Sequence, residues 1–361
     1  MKATKQLHDI GQSLWLDNIT RDLLNSGTLK RYIDELSVTG LTSNPTIFDN
    51  AVARSKSYDA EIQKLVGRGL SGEALFFELA VQDLVRAADL FGPIHDRTAT
   101  VDGWVSLEVS PQLVDDTVGT IQAAASLHAQ AARQNLFIKI PGTPAGVPAI
   151  EETIYRGIPV NVTLLFSREQ YLAAADAYMR GIERRLNAGK SPVVESVASV
   201  FVSRWDTGVK ETVAPQYQNR LGIAIAMRTY KAYRDLLASG RWQKLAAAGA
   251  HPQRLLWAST GTKDPAAPEA LYVEALAAPD TVDTMPEKTL KAFAAQGRVG
   301  TPMPVDGGYA EALLEEFRRE GVDIDALADK LQKEGGESFS KSWTSLLGGL
   351  HEKTAKLASA P

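Results

Sequence analysis

Polar residues interrupt several apolar runs that otherwise read as buried strands. Asp17 follows Leu14, Trp15 and Leu16, Glu108 follows Leu107, and Lys139 stands between Ile138 and Ile140. Asn161 and Thr163 alternate within VNVTLL, and Ser199 breaks VASVFV. A buried charge is costly to desolvate unless it is paired, so two carboxylates and an ammonium in three apolar runs point to chemistry rather than packing. Lys139 is the sharpest case. Flanked by Phe137, Ile138, Ile140 and Pro141, its ammonium would be partly desolvated, which would favour a neutral amine able to add to a ketone as a Schiff base. The protonated imine is an electron sink that makes a neighbouring carbon–carbon bond breakable. One carboxylate would take the proton of the substrate hydroxyl as that bond breaks. The other would handle the water lost when the imine forms and regained when it hydrolyses. Spacing alone does not say which does which. The competing explanation is a lysine paired with Glu108 or Asp17 simply to neutralise the interior.

These residues can act together only if their strands converge. Short β-like runs at 13–19, 38–43, 104–109, 136–140, 160–165, 196–202, 254–259 and 281–285 alternate with helical patterns such as 72–90 and 115–133. Eight strands alternating with helices predict an α/β fold, a closed (β/α)8 TIM barrel whose strand ends face one mouth. An open doubly wound sheet would advertise a Gly-rich turn after its first strand, where this chain reads TRDLLNSG. Two regions fall outside the alternation: a helical insertion at 206–250, and a C-terminal helical extension over 301–361 that begins within the turn GRVGTPMPVDGG. The expected organisation is one barrel domain over 1–361 with that extension packed on it. The stretch SFSKSWTSLLGGL at 338–350 could be a dimer face, a lid or plain packing, so monomer and homodimer both stay open.

Composition narrows the function. Lys plus Arg is 39 against 43 Asp plus Glu, a net charge of −4, so there is no dense basic footprint for nucleic acid. With no cysteine, disulfides, thiolate nucleophiles and thiolate metal sites are excluded. The five histidines are dispersed with no HxxxH or HExxH pair, and no metal site is expected. The first residues lack the apolar core of a secretory signal, and no apolar run is long enough to span a membrane, so a cytoplasmic location is expected. AGKS at 188–191 looks like the end of a nucleotide-binding loop. However, Arg184 stands where that loop needs its first glycine, and the segment leaves a helix, not a strand.

Read in order, the motifs resemble one family. GLTSNPTIF at 40–48 resembles the N-terminal signature of transaldolases, and NLFIKIP at 135–141 resembles their active-site lysine segment. SLEV at 106–109, NVTLLFS at 161–167 and VASVFVSRWD at 197–206 follow in family order. The resemblance implies a class I aldolase-type enzyme of the non-oxidative pentose phosphate pathway. It would move a dihydroxyacetone unit from a ketose phosphate, sedoheptulose 7-phosphate or fructose 6-phosphate, to an aldose phosphate, glyceraldehyde 3-phosphate or erythrose 4-phosphate. It further implies that Lys139 is the Schiff-base lysine, that Asp17 is the acid/base for the donor hydroxyl, and that Glu108 with Thr163 handles the catalytic water. Asn44, Asn161 and Ser199 match residues that orient the sugar's hydroxyls. Arg204 corresponds to a phosphate-binding arginine, its planar fork suited to phosphate oxygens.

The match loosens at the phosphate. The family's SPFVGR becomes SVFVSR at 199–204, and a second arginine expected after Ser259 is absent from ASTGTK at 258–263. Ser259 is expected to contact phosphate and Lys263 to replace the missing cation. No cofactor is implied. The alternatives are a Schiff-base aldolase releasing free dihydroxyacetone, whose relatives are much shorter, and a non-catalytic sugar-phosphate-binding barrel. Intact Lys139, Asp17 and Glu108 argue against the latter.

Overall fold

The computed structural model describes residues 2–359, so the last two residues of the expected extension lie outside the described residues. Eight parallel strands close into a barrel in chain order: β1 (Ser13–Asp17), β2 (Val38–Thr42), β3 (Val105–Glu108), β4 (Leu136–Pro141), β5 (Val160–Leu165), β6 (Ser196–Phe201), β7 (Arg254–Ala258) and β8 (Val282–Met285). Every expected run forms a strand, with bounds shifted by no more than two residues. Helix 72–90 continues to Arg97 through Pro93, and 115–133 contracts to Thr117–Ala131. The architecture is the (β/α)8 barrel that the alternation predicts, with a helical extension at the C-terminus.

Side chains on a strand alternate in direction, so residues two apart share a face. Trp15, Phe137, Val197, Leu256 and Val282 point into the barrel and form part of one apolar cluster with Trp104. Two residues further along the same strands, Asp17, Lys139, Ser199, Ala258 and Thr284 line a cavity at the C-terminal ends. The interior is therefore apolar at one end and largely polar at the other.

The expected insertion is the β6–β7 connection itself, built from helices Ser203–Val209, Leu221–Ala238 and Gly240–Ala247. Buried Asp206 ties it together. Its carboxylate accepts from the N–H of Leu221 and Gly222 and from the Tyr272 hydroxyl. The nucleotide-loop lookalike is a helix end: Gly189 takes φ +67° just after helix Arg168–Asn187, and Lys190 lies over the Tyr155 ring.

The C-terminal extension contains helices Ala310–Arg319 and Ile324–Ser359. The second, 36 residues long, reaches the barrel mouth. Phe339 lines the cavity, Trp343 packs edge-on against Phe76, and the Lys353 ammonium donates to the Val52 carbonyl and pairs with Asp59. Leu346 and Leu350 are buried too, so the stretch 338–350 packs its apolar face within the chain. Among the described residues no helix is long and apolar enough to cross a membrane.

Candidate active site

The cavity at the mouth has a volume of about 350 Å³. Asp17, Asn44, Lys139 and Thr163 line it, as do Ser199, Arg204, Ser259 and Lys263. Glu108 and Asn161 do not reach the cavity wall but stand behind residues that do. In the strand register Glu108 pairs with Lys139, and Lys139 with Asn161, so three polar residues sit side by side on β3, β4 and β5. The Lys139 ammonium donates to Glu108 Oε2 at 3.1 Å and to the Ser43 carbonyl at 2.9 Å. Their side chains are only 7% and 6% exposed, which makes this a buried pair opening onto a cavity. Asn161 accepts from the Ser199 hydroxyl at 2.7 Å and donates to Ser106 Oγ at 3.1 Å.

Burial raises the pKa of both carboxyls. For Asp17 that effect outweighs the opposing pull of Lys139, the Thr42 hydroxyl and Lys263; the Thr42 bond measures 2.8 Å. For Glu108 burial outweighs the attraction of Lys139, and the Asp17 charge pushes the same way as burial. Each acid therefore keeps its proton to a higher pH than a free carboxyl does. The Thr163 hydroxyl is buried and has no hydrogen-bond partner among the described residues, although Thr163 lines the cavity.

Asn44 stands immediately before a helix. Its Oδ1 accepts from the Ile47 N–H at 3.1 Å and caps helix Pro45–Arg54, with Pro45 in the first turn. Its Nδ2 makes no hydrogen bond to a described residue, and Asn44 itself borders the cavity.

On the other side of the mouth, Arg204 and Lys263 form neither a hydrogen bond nor an ion pair with any described residue. Burial lowers the Arg204 pKa, with Glu334 opposing. Its guanidinium lies 5.6 Å from the Phe201 ring centroid. Its position is fixed by its neighbours: Trp205 Nε1 donates to the Phe166 carbonyl, and Asp206 holds the next helix. Ser259 takes a left-handed φ of +57°, and its hydroxyl lies 2.8 Å from that of Ser203. Two unpaired cations and a hydroxyl pair on one side of a cavity suit an anion.

Thr42, Thr284 and Phe339 were not singled out from the sequence. Thr42 bridges Asp17 and Thr284, at 2.8 and 2.7 Å. Thr284 stands two residues after inward Val282, so strand parity carried that signal. Phe339 arrives from a distant helix, and its local sequence carries none.

The sequence profile of the transaldolase/fructose-6-phosphate aldolase family matches residues 14–350. The chain is 43% identical to a transaldolase of Renibacterium salmoninarum, over 95% of this chain and 94% of that one. It is 43% identical to a transaldolase of Thermobifida fusca, over 97% and 98% of the two chains. It is 39% identical to transaldolase 2 of Nostoc punctiforme, over 98% of each.

Proposed function

The chain belongs to the transaldolase/fructose-6-phosphate aldolase family, and from that premise we propose that Lys139 carries the donor's three-carbon fragment as a Schiff base. The protein is a transaldolase, a transferase acting on aldehyde and ketone groups. It moves a dihydroxyacetone unit from sedoheptulose 7-phosphate or fructose 6-phosphate to glyceraldehyde 3-phosphate or erythrose 4-phosphate. Glu108, at 3.1 Å, takes the ammonium proton and frees the Lys139 amine to attack the ketone carbon. It then returns a proton to the departing oxygen, which leaves as water beside the Thr163 hydroxyl. Asp17 next takes the proton of the C4 hydroxyl as the C3–C4 bond breaks. The bonding electrons pass into the imine, leaving an enamine on Lys139 while the aldose departs. An acceptor aldehyde reverses these steps, with Asp17 protonating the new alkoxide. The upward shift of both carboxyls suits groups that accept and return protons within one turnover.

Asn44 and Ser199 orient the sugar's hydroxyls, and Asn161 acts through the 2.7 Å bond that aims Ser199. Arg204, Ser259 and Lys263 hold the phosphate. The steps balance without a metal or an organic cofactor. The chain is one barrel domain, monomeric or homodimeric, acting in the cytoplasm on soluble sugar phosphates, with no nucleic-acid or membrane partner. The observation that carries this reading is a lysine buried against a carboxylate that nevertheless opens onto the cavity.

Borohydride reduction with fructose 6-phosphate, followed by peptide mass mapping, tests it. A three-carbon adduct on Lys139 is expected, with full turnover only when an aldose phosphate acceptor is present. Free dihydroxyacetone released without an acceptor would mark a lyase instead. A folded protein that gives no adduct, or an adduct on another lysine, would overturn the assignment.

A further inference from the structure

Strand β5 is irregular beside the reacting groups. Val160 and Val162 pack outward with the main core, while Thr163 lines the cavity. At Leu164 the backbone turns to φ +58°, a left-handed conformation rarely adopted by a side chain of this kind. The pairing with β6 shifts between Val162 and Leu165. This resets the alternation: Leu165 rejoins the outward packing, and Leu164 faces the C-terminal helix. The residue just before such an irregularity, Thr163, takes its orientation from whatever holds the turn in place.

One side chain supplies that hold. Gln332 of helix Ile324–Ser359 donates from Nε2 to the Leu164 carbonyl at 2.9 Å and to the Gly142 carbonyl at 3.1 Å. Gly142 in turn donates its N–H to the Thr163 carbonyl at 2.7 Å. A single amide nitrogen thus fastens the end of the lysine strand to the end of the threonine strand. Gly335, one turn along, packs close to the same residue: a Cβ there would stand 2.9 Å from Leu164 Cδ2. The Thr163 hydroxyl has no partner of its own among the described residues, so its aim depends on its backbone.

We propose that Gln332 is a positioning residue for the water-handling steps: by clamping the Leu164 and Gly142 carbonyls it aims the Thr163 hydroxyl at the water exchanged on Lys139. The proposal rests on the role given to Thr163 above. It makes the C-terminal helix part of the reaction apparatus rather than only a cover.

The test compares Gln332→Met, which keeps length but removes the donors, with isosteric Gln332→Glu, which turns an acceptor toward the carbonyls. Gln332→Lys restores donors, and Thr163→Ala and the Gln332→Met/Thr163→Ala pair complete the set. Each is measured with fructose 6-phosphate and erythrose 4-phosphate, by rapid-quench borohydride trapping and by thermal unfolding. In Gln332→Met and Gln332→Glu, kcat and the rate of adduct formation should fall together, roughly tenfold to hundredfold, with KM unchanged. Gln332→Lys should recover most of that loss. The double variant should be no slower than Thr163→Ala alone, because both changes remove one function. A multiplicative loss, an effect on KM alone, or a folded Gln332→Lys as slow as Gln332→Met would overturn the clamp and leave the Schiff-base reading standing. A wild-type rate in Thr163→Ala would overturn the Thr163 assignment and the clamp with it, whereas loss of the Lys139 adduct from the unaltered protein would refute the underlying mechanism.

Discussion

Two layers of the barrel interior, carried by the same strands, follow opposite rules. In the lower layer Trp104 stacks on Phe137 at 4.1 Å and Trp15 packs nearby, its indole N–H donating to Asp102. In the upper layer, two residues along each strand and so about 7 Å away, the same positions carry Asp17, Lys139 and Ser199. The lower layer gains free energy by excluding water. The upper layer gives some of it up to hold charged groups where a ligand can reach them, and its raised carboxyl pKa values record that cost. Stability and chemistry are thus separated by one repeat of the strand, and substitutions in the two layers should fail in different ways.

The largest contrast is expected at Lys139. In Lys139→Met, borohydride trapping should give no adduct and turnover should fall below detection. The fold should survive, because burial already favours the protonated form of the Glu108 carboxyl that would be left alone. Normal turnover in that variant would end the Schiff-base mechanism. Asp17→Asn should come next, lowering kcat by roughly 10²–10⁴-fold, as loss of a general acid/base does. KM should change little and the donor imine should still be trapped. A pure binding defect would remove Asp17 from the proton transfer.

One layer down, Phe137→Ala should do the reverse. Deleting a ring stacked on Trp104 should cost about 3–5 kcal/mol in urea unfolding. The kcat of the remaining folded enzyme should hold, and a selective fall in kcat at unchanged stability would abolish the distinction between the layers. Arg204→Ala lies at the rim and should act on binding. Losing a charged contact to phosphate should raise KM roughly tenfold to hundredfold for phosphorylated donors, with much less effect on free dihydroxyacetone. Equal effects on both would take phosphate recognition away from Arg204.

How much of this was legible in the sequence follows from the same alternation. A strand buried on both faces is apolar throughout, so Asp17, Lys139 and Ser199 stood out against their neighbours, and the strands themselves were readable as short runs between turns. Depth was not readable. Glu108 and Asn161 carry the same signature as Lys139 but stand behind the cavity wall, which only the folded structure reveals. Phe339 and Gln332 come from a helix well over a hundred residues downstream of β5, and nothing in their own spacing says that the helix crosses the mouth. The irregularity at Leu164 was equally silent, since a leucine after Thr163 reads as ordinary strand.

Asp283 shows why a polar residue in an apolar strand is not enough without parity. It interrupts β8 much as Asp17 ends β1, yet it neighbours inward Thr284 and therefore points the other way, toward the helices. It is fully buried, with one oxygen accepting from Thr260 and the other unpartnered among the described residues. Burial, against the opposing Thr260 bond, pushes its pKa from the ordinary 3.8 up to about 7. The sign of the consequence is fixed. Between those values the unfolded chain releases the proton while the folded one keeps it, so this residue's contribution to stability falls as pH rises. The slope can reach about 1.4 kcal/mol per pH unit, and the contribution levels off above about pH 7. Asp283→Asn cannot ionise and should remove that component. Urea midpoints for the two proteins should therefore lie closest near pH 4 and diverge up to about pH 7, with the variant gaining relative to the parent, while kcat at fixed pH stays the same. Parallel stability profiles would mean that the folded protein holds Asp283 no more reluctantly ionised than the unfolded chain does. A change in kcat would instead place Asp283 with the upper layer and make parity the wrong guide.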